Sequence, residues 1–265
     1  MTANAGPAVA ADRGAIRVVR DGSVVRLVLD RPPLNVLTIA MLEELHGMLG
    51  ELAADDSVKL VTLSGNGKAF CAGVDVADHA DDRVARMLEL FHGSLLRLHG
   101  LPCPTVAVVH GAAVGGGCEL LLACDLVLAR EGIAIGQPEI RLGVFPPFAA
   151  AILPRLIGRQ RAMELVLTGR TLSAEEALAA GLVTRVVSDD DFDSAVQEYL
   201  SQLARLSGPV QRLAKRAIVE CAGMPVADAV AHAEALYAND LMQLQDAHEG
   251  LAAFVEKRAP AWREA

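Results

Sequence analysis

The sequence has no CxxC pair, no basic stripe and no uninterrupted apolar run of membrane length, and each absence removes a class of function. Its five cysteines, Cys71, Cys103, Cys118, Cys124 and Cys221, are odd in number and lie mostly in apolar runs, where a thiol behaves as a small hydrophobe. A disulfide framework is therefore not expected. The 24 Lys and Arg are scattered and the net charge is -9, which argues against nucleic acid as a partner. The same acidic balance repels anions at long range, so a phosphorylated ligand would need a local basic rim. Residues 105–129 are apolar enough to suggest a bilayer span, but they carry His110, Glu119 and Asp125 and fit a buried strand-turn-helix-strand better; no membrane association is expected.

Chemical signatures are equally sparse. Gly65 and Gly67 are not followed by the third glycine of a dinucleotide site, and Lys68 precedes Ala69 where a P-loop needs Ser or Thr. There is no G-x-S-x-G elbow, and no pair of the seven histidines has metal-ligand spacing. The acidic group Asp75, Asp78, Asp81 and Asp82 lacks the glycine and glutamate of a calcium loop and reads as a solvated helix start, so no metal is expected.

What is present is a globular chain of 265 residues, 52% hydrophobic and 22% charged, enough for one large core or a core with a small appended region. Residues 1–12 are Ala-rich without a basic segment leading into an apolar one, and read as a loose tail of a cytoplasmic protein, not a signal peptide. Short β-branched runs at 23–29, 58–63, 105–109, 126–128 and 183–187 predict strands. Apolar residues at three- and four-residue spacing predict helices over 39–52, 83–98, 116–123 and 148–156. Ser173 and Glu176 form a capping-box pattern for a helix stopped by Gly181. From 192 onward the pattern is nearly all helical. The expected organisation is an α/β core over 13–190 and a helical region over 191–265.

Gly115-Gly116-Gly117-Cys118-Glu119 follows a strand and opens a helix, so its unpaired N–H groups point at whatever lies above the strand. Missing Cβ atoms would let a ligand oxygen reach the main chain; tight helix-strand packing explains the same glycines equally well. Glu119 sits among Cys118, Leu120, Leu121 and Leu122, where an ionised carboxylate is costly unless it is paired or working, and a buried salt bridge is the alternative to a catalytic role. Gln137-Pro138-Glu139 supplies a second carboxylate, and two such groups divide acid and base roles when their surroundings separate their pKa values. Phe70-Cys71-Ala72-Gly73-Val74-Asp75 offers another small-residue turn with a main-chain donor.

In their order and spacing, Ala69 through Asp75, His110-Gly111 through Leu120, and Gly136-Gln137-Pro138-Glu139 resemble the crotonase, or enoyl-CoA hydratase/isomerase, superfamily. The similarity runs from about Val24 to Trp262. The resemblance implies a spiral of strand-strand-helix turns followed by a helical trimerisation region, assembled as a homotrimer or a dimer of trimers. It also implies an acyl-CoA thioester as substrate, with coenzyme A part of that substrate and no separate cofactor. Mapped onto matching positions, the N–H groups of Ala72 and Gly116 would form an oxyanion hole, and Glu119 (base) and Glu139 (acid or water-orienting partner) would flank the reacting water. Ala69, Cys71, Gly73, Val74, Asp75, Gly115, Pro138, Pro147 and Phe148 would line the substrate. Lys68 and Lys257 could meet CoA phosphates or adenine, the latter across a subunit boundary, although most surface lysines are simply solvated. Pro147 departs from the pattern, since common hydratases have there a glycine whose N–H helps hold the water, and proline has none. Arg31-Pro32-Pro33-Leu34-Asn35-Val36-Leu37 and the Pro146-Pro147 loop resemble the cyclohexa-1,5-dienecarbonyl-CoA hydratase branch; in purely structural terms the prolines stiffen a turn, and Leu34, Val36 and Leu37 are core residues. A hydratase, an enoyl-CoA isomerase or other enolate enzyme using one glutamate, and a silent CoA-ester binder all remain open at this point.

Overall fold

The computed structural model describes residues 9–264, with 9–13 described by backbone alone. The described part opens with an antiparallel ribbon of β1 (Val9–Arg13), β2 (Ile16–Asp21) and β3 (Val24–Leu29). Residues 9–12 of the expected tail are therefore strand, paired to β2; residues 1–8 lie outside the described part. Then follow α1 (Ile39–Ala53), β4 (Leu60–Gly65), β5 (Ala69–Cys71), α2 (Val84–His99), β6 (Thr105–Val109), β7 (Ala112–Val114), α3 (Gly116–Leu122), β8 (Leu126–Arg130) and β9 (Ala134–Gly136). After a short 3₁₀ helix, Pro138–Leu142, come α4 (Pro147–Ile157), α5 (Arg159–Thr168), β10 (Thr171–Ser173), α6 (Ala174–Ala180) and β11 (Arg185–Val187). The last stretch is helical: α7 (Phe192–Ala204), α8 (Gly208–Cys221), α9 (Val226–Asn239) and α10 (Gln245–Glu256).

In the spiral β4, β6 and β8 are each followed by a three-residue strand, β5, β7 and β9, and these short strands join β10 in a separate sheet. The larger sheet has the order β1-β2-β3-β4-β6-β8-β11, parallel from β3 onward, and the smaller has the order β10-β9-β7-β5. In β3 the alternation is strict, with Val25, Leu27 and Leu29 buried, whereas β4 buries Leu60 through Leu63 on both faces, as an interior parallel strand must. One face of the sheet meets α1, α2 and α3 in the main core; on the other, Leu60, Val106 and Leu128 pack under Leu200 of α7. The helices thus hold the carboxyl ends of the parallel strands in fixed register, and the candidate residues lie on the segments that leave those ends.

Strands β3, β4, β6, β8 and β11 and most helices fall within a few residues of where periodicity puts them, whereas β1 and β2 lie outside the expected strands. The three-residue strands β5, β7, β9 and β10 are too short to carry a period of two, and α5 escaped because only Ala162 and Leu165 of it are buried. The capping box at Ser173 and Glu176 forms in both directions, and Gly181 takes the left-handed conformation with φ 86°. Asp78 differs from expectation: it is 2% exposed, pairs with Arg83 at 2.6 Å and accepts the Ile39 N–H at 2.8 Å. It is a buried tie between α1 and the Val76–His79 turn, not a solvated helix start. Leu34 also differs, since it is 46% exposed; of its group only Leu37 is core. No described helix is long and apolar enough to cross a membrane.

Candidate active site

The site is assembled where β5 and β7 of the smaller sheet hand over to the segments that follow them. At the end of β7 Gly115 turns the chain with φ 57° and ψ -130°, a conformation that L-residues rarely adopt, and α3 begins at Gly116. A Cβ on Gly115 would stand 2.9 Å from Glu139 Oε1, so the missing side chain is also what lets that carboxylate lie over the turn. A Cβ on Gly116 would meet Val74 Cγ2 at 2.9 Å, the tip of the Phe91 ring at 3.0 Å and Val74 N at 3.4 Å. One on Gly117 would collide with the Cys71 carbonyl. Both readings of the three glycines therefore hold: Gly117 serves close packing of α3 on β5, and Gly116 brings a main-chain N–H beside that of Val74.

In this turn the N–H left without a bond beside Gly116 is that of Val74 and not that of Ala72. The Ala72 N–H is engaged with the Leu34 carbonyl at 2.9 Å. Val74 forms a parallel bridge with Leu37, in which Leu37 N–H bonds the Gly73 carbonyl at 2.9 Å and Asp75 N–H bonds the Leu37 carbonyl at 2.8 Å. In such a bridge the two neighbours make the bonds and the bridging residue turns its own N–H the other way. Among the described residues neither Val74 N nor Gly116 N donates a hydrogen bond, and the two stand side by side. The signal in the sequence was the glycine before Val74; which of the neighbouring N–H groups is free depends on a loop some forty residues earlier.

Glu119 is 3% exposed and belongs to none of the ion pairs among the described residues, so the salt-bridge alternative does not hold. Instead its Oε1 accepts the Ala149 N–H at 2.8 Å, and the Phe148 N–H also bonds the carboxylate. Glu119 thereby caps the amino end of α4, whose own cap residue, Pro146, has no side chain able to do so. Burial pushes its pKa up to about 7, the nearby Glu139 adds to the rise, and the two N–H bonds oppose it. Glu139 is half-buried and is likewise raised by desolvation. With its amide nitrogen toward Glu139, the fully buried Gln137 reaches both carboxylate oxygens at 3.0 and 3.1 Å.

The remaining candidates divide. Gly73, Val74, Gly115, Gly116, Glu119, Glu139, Pro138 and Phe148 share this neighbourhood, and the exposed Pro147 begins α4 next to the N–H groups that hold Glu119. Ala69 and Cys71 are enclosed in β5, and the Cys71 thiol, pushed up to about 12 by burial, faces the Asn35 carbonyl at 3.1 Å; they are scaffold and not lining. The Asp75 carboxylate accepts the Ala77 N–H and caps the following turn. Lys68 is exposed at the turn before β5. Lys257 ends α10 with φ 54°, on a helix that packs against α8 and the short helix Leu241–Gln243, so within one chain it is not brought to the site. Sequence reasoning did not single out Phe91, Ala149 or the pairing of Gln137 with Glu139.

A stability consequence follows from Glu119. Its ordinary pKa is 4.5 and its native value is about 7, so between those values the native state holds a proton that the unfolded chain has lost. Stability is then full below pH 4.5 and falls as pH rises toward 7, by up to about 3 kcal/mol. Glu119→Gln keeps an acceptor for α4 but removes the ionisation. The variant should gain on the wild type between pH 5 and pH 8 in urea denaturation; a difference that stays constant with pH contradicts the assignment.

The enoyl-CoA hydratase/isomerase family pattern matches residues 20–265. Among curated proteins, cyclohexa-1,5-dienecarbonyl-CoA hydratase of Thauera aromatica is 37% identical over 244 residues, covering 92% of this chain and 94% of its own. A protein of Mycobacterium tuberculosis named "Probable enoyl-CoA hydratase" is also 37% identical, over 248 residues, covering 92% and 96%. Of solved structures, the enoyl-CoA hydratase of Bacillus anthracis superposes with a TM-score of 0.90 at 34% identity, covering 95% of this chain and 100% of that one.

Proposed function

The chain belongs to the enoyl-CoA hydratase/isomerase family, and from that premise we propose that it is a hydro-lyase adding water to an α,β-unsaturated acyl-CoA thioester. The observation that carries this reading is the convergence of two unbonded N–H groups, Val74 and Gly116, beside two carboxyl groups of raised pKa, Glu119 and Glu139. The N–H pair receives the thioester oxygen, which gains charge as the hydroxyl of water bonds to the β-carbon. One carboxylate takes the proton of that water, and the partner carboxylic acid delivers a proton to the α-carbon. An isomerase needs only one such group; a silent binder needs neither.

Within this activity we assign a ring dienoyl thioester, cyclohexa-1,5-diene-1-carbonyl-CoA. The two curated relatives above are equally identical, so identity does not choose between ring and straight chain. The choice rests on the loop ahead of α4, where Pro146 and Pro147 leave no N–H until Phe148, and where the N–H groups of Phe148 and Ala149 are already engaged by Glu119. Water is then held by the glutamates alone. Coenzyme A enters as part of the substrate, with Lys68 on the rim for its phosphates.

Oligomerisation is assigned to residues 191–265, in a homotrimer or dimer of trimers. Ile218, Val226, Phe254 and Val255 of α8, α9 and α10 are 75, 80, 85 and 79% exposed in the single chain, which supports that assignment. The decisive assay follows loss of enoyl absorbance with crotonyl-CoA and cyclohexa-1,5-dienecarbonyl-CoA in parallel. Preferential turnover of the ring ester is expected; preference for crotonyl-CoA would discard the ring assignment and leave hydration standing.

A further inference from the structure

We propose that Asn35 is a positioning residue for the oxyanion donor at Val74, an inference that rests on reading that N–H as the group which receives the thioester oxygen. Asn35 is fully buried, yet its side chain is polar and its backbone is left-handed, with φ 53°. Its carboxamide is completely engaged. Oδ1 accepts the Arg31 N–H at 3.0 Å, and Nδ2 faces the carbonyls of Asn66, Ala69 and Phe70 at 2.8, 2.9 and 3.1 Å. Its own carbonyl accepts from Cys71 Sγ at 3.1 Å. Room for this peg comes from Gly65, where a Cβ would stand 2.7 Å from Nδ2.

These bonds pin the 31–37 loop to the turn between β4 and β5, and the residues on either side of Asn35 then do the aiming. Leu34 takes the Ala72 N–H, and Leu37 takes the Asp75 N–H and gives its own to Gly73. With the N–H groups at 72 and 75 fixed on one side, the one at 74 is left pointing at the amino end of α3. A shift of this loop would swing the Val74 N–H away from Gly116 without moving either glutamate. Asparagine suits the position because it tolerates left-handed backbone and both donates and accepts. Aspartate would set a carboxylate against three carbonyl oxygens.

The test uses Asn35→Gly, which keeps the left-handed backbone and removes the peg, and Asn35→Asp, which keeps its shape. Each is titrated with 4-(dimethylamino)cinnamoyl-CoA, whose absorption moves to the red when its thioester oxygen receives hydrogen bonds. Turnover is measured on whichever of the two enoyl esters the wild type hydrates. The expected result is a kcat lowered roughly 10- to 100-fold, KM within about threefold, and a red shift reduced by at least about half. Full red shift and full kcat in both variants overturn the proposal. So does loss of the native near-ultraviolet circular dichroism in both, which would make Asn35 a folding residue. A wild type that binds the dye ester without any red shift would instead refute the reading of Val74 and Gly116 as an oxyanion hole.

Discussion

Replacing Glu139 by glutamine should lower kcat for hydration roughly 100- to 10,000-fold, the range expected when one positioned acid-base group is lost, with KM little changed. Glutamine has nearly the shape of glutamate and fits over Gly115 in the space that the missing Cβ leaves. It can neither take nor give a proton. The Val74 and Gly116 N–H groups, proposed to hold the thioester oxygen, are untouched, so affinity for the thioester should survive. Glu119→Gln should cost a similar factor in rate and, in addition, alter the pH profile. With Glu119 ionising near 7, kcat/KM rises as pH rises through that region if Glu119 takes the proton from water, and this limb disappears in the variant. The two carboxyl groups feel each other, so the limb belongs to the pair and not to one residue alone. Full activity in either variant, or a loss confined to KM, would remove the two-carboxylate mechanism.

The second large effect distinguishes Val74 from Ala72. Exchanging the peptide N–H at Val74 for an ester oxygen deletes one donor and leaves every side chain in place. It should cost roughly 100- to 1000-fold in kcat, or about 3 to 4 kcal/mol of transition-state stabilisation. The same exchange at Ala72 removes the bond to the Leu34 carbonyl, a structural interaction worth about 1 kcal/mol, and should show chiefly as lost stability. Comparable losses of kcat at both positions would mean that the hole is built differently from the geometry described above. Denaturation midpoints measured on both proteins separate the structural share from the catalytic one.

The elements legible in the sequence are those whose information is local. The run Val24 to Leu29 alternates, α2 repeats its apolar residues every three or four positions, and Ser173 with Glu176 announces a helix start within four residues. Glu119 and Glu139 stood out for a similar reason: a charged residue in an apolar run, and a second one after a strand, are visible without knowing what lies opposite. Pairing of the three-residue strands β5, β7 and β9 was not visible, because each is held by a partner about twenty or more residues away and is too short to show a period.

The amino-acid sequence by itself determined the alternation of strand and helix, the family, and the two carboxyl groups, because hydrophobic periodicity, glycine spacing and misplaced charge are written along the chain. Only the tertiary structure decided which main-chain N–H groups are free and what holds Glu119. Hydrogen-bond satisfaction is a property of neighbours in space: the Leu34 carbonyl engages Ala72 and thereby releases Val74 as donor, and the amino end of α4 supplies Glu119 with the partners that a salt bridge would otherwise have had to provide.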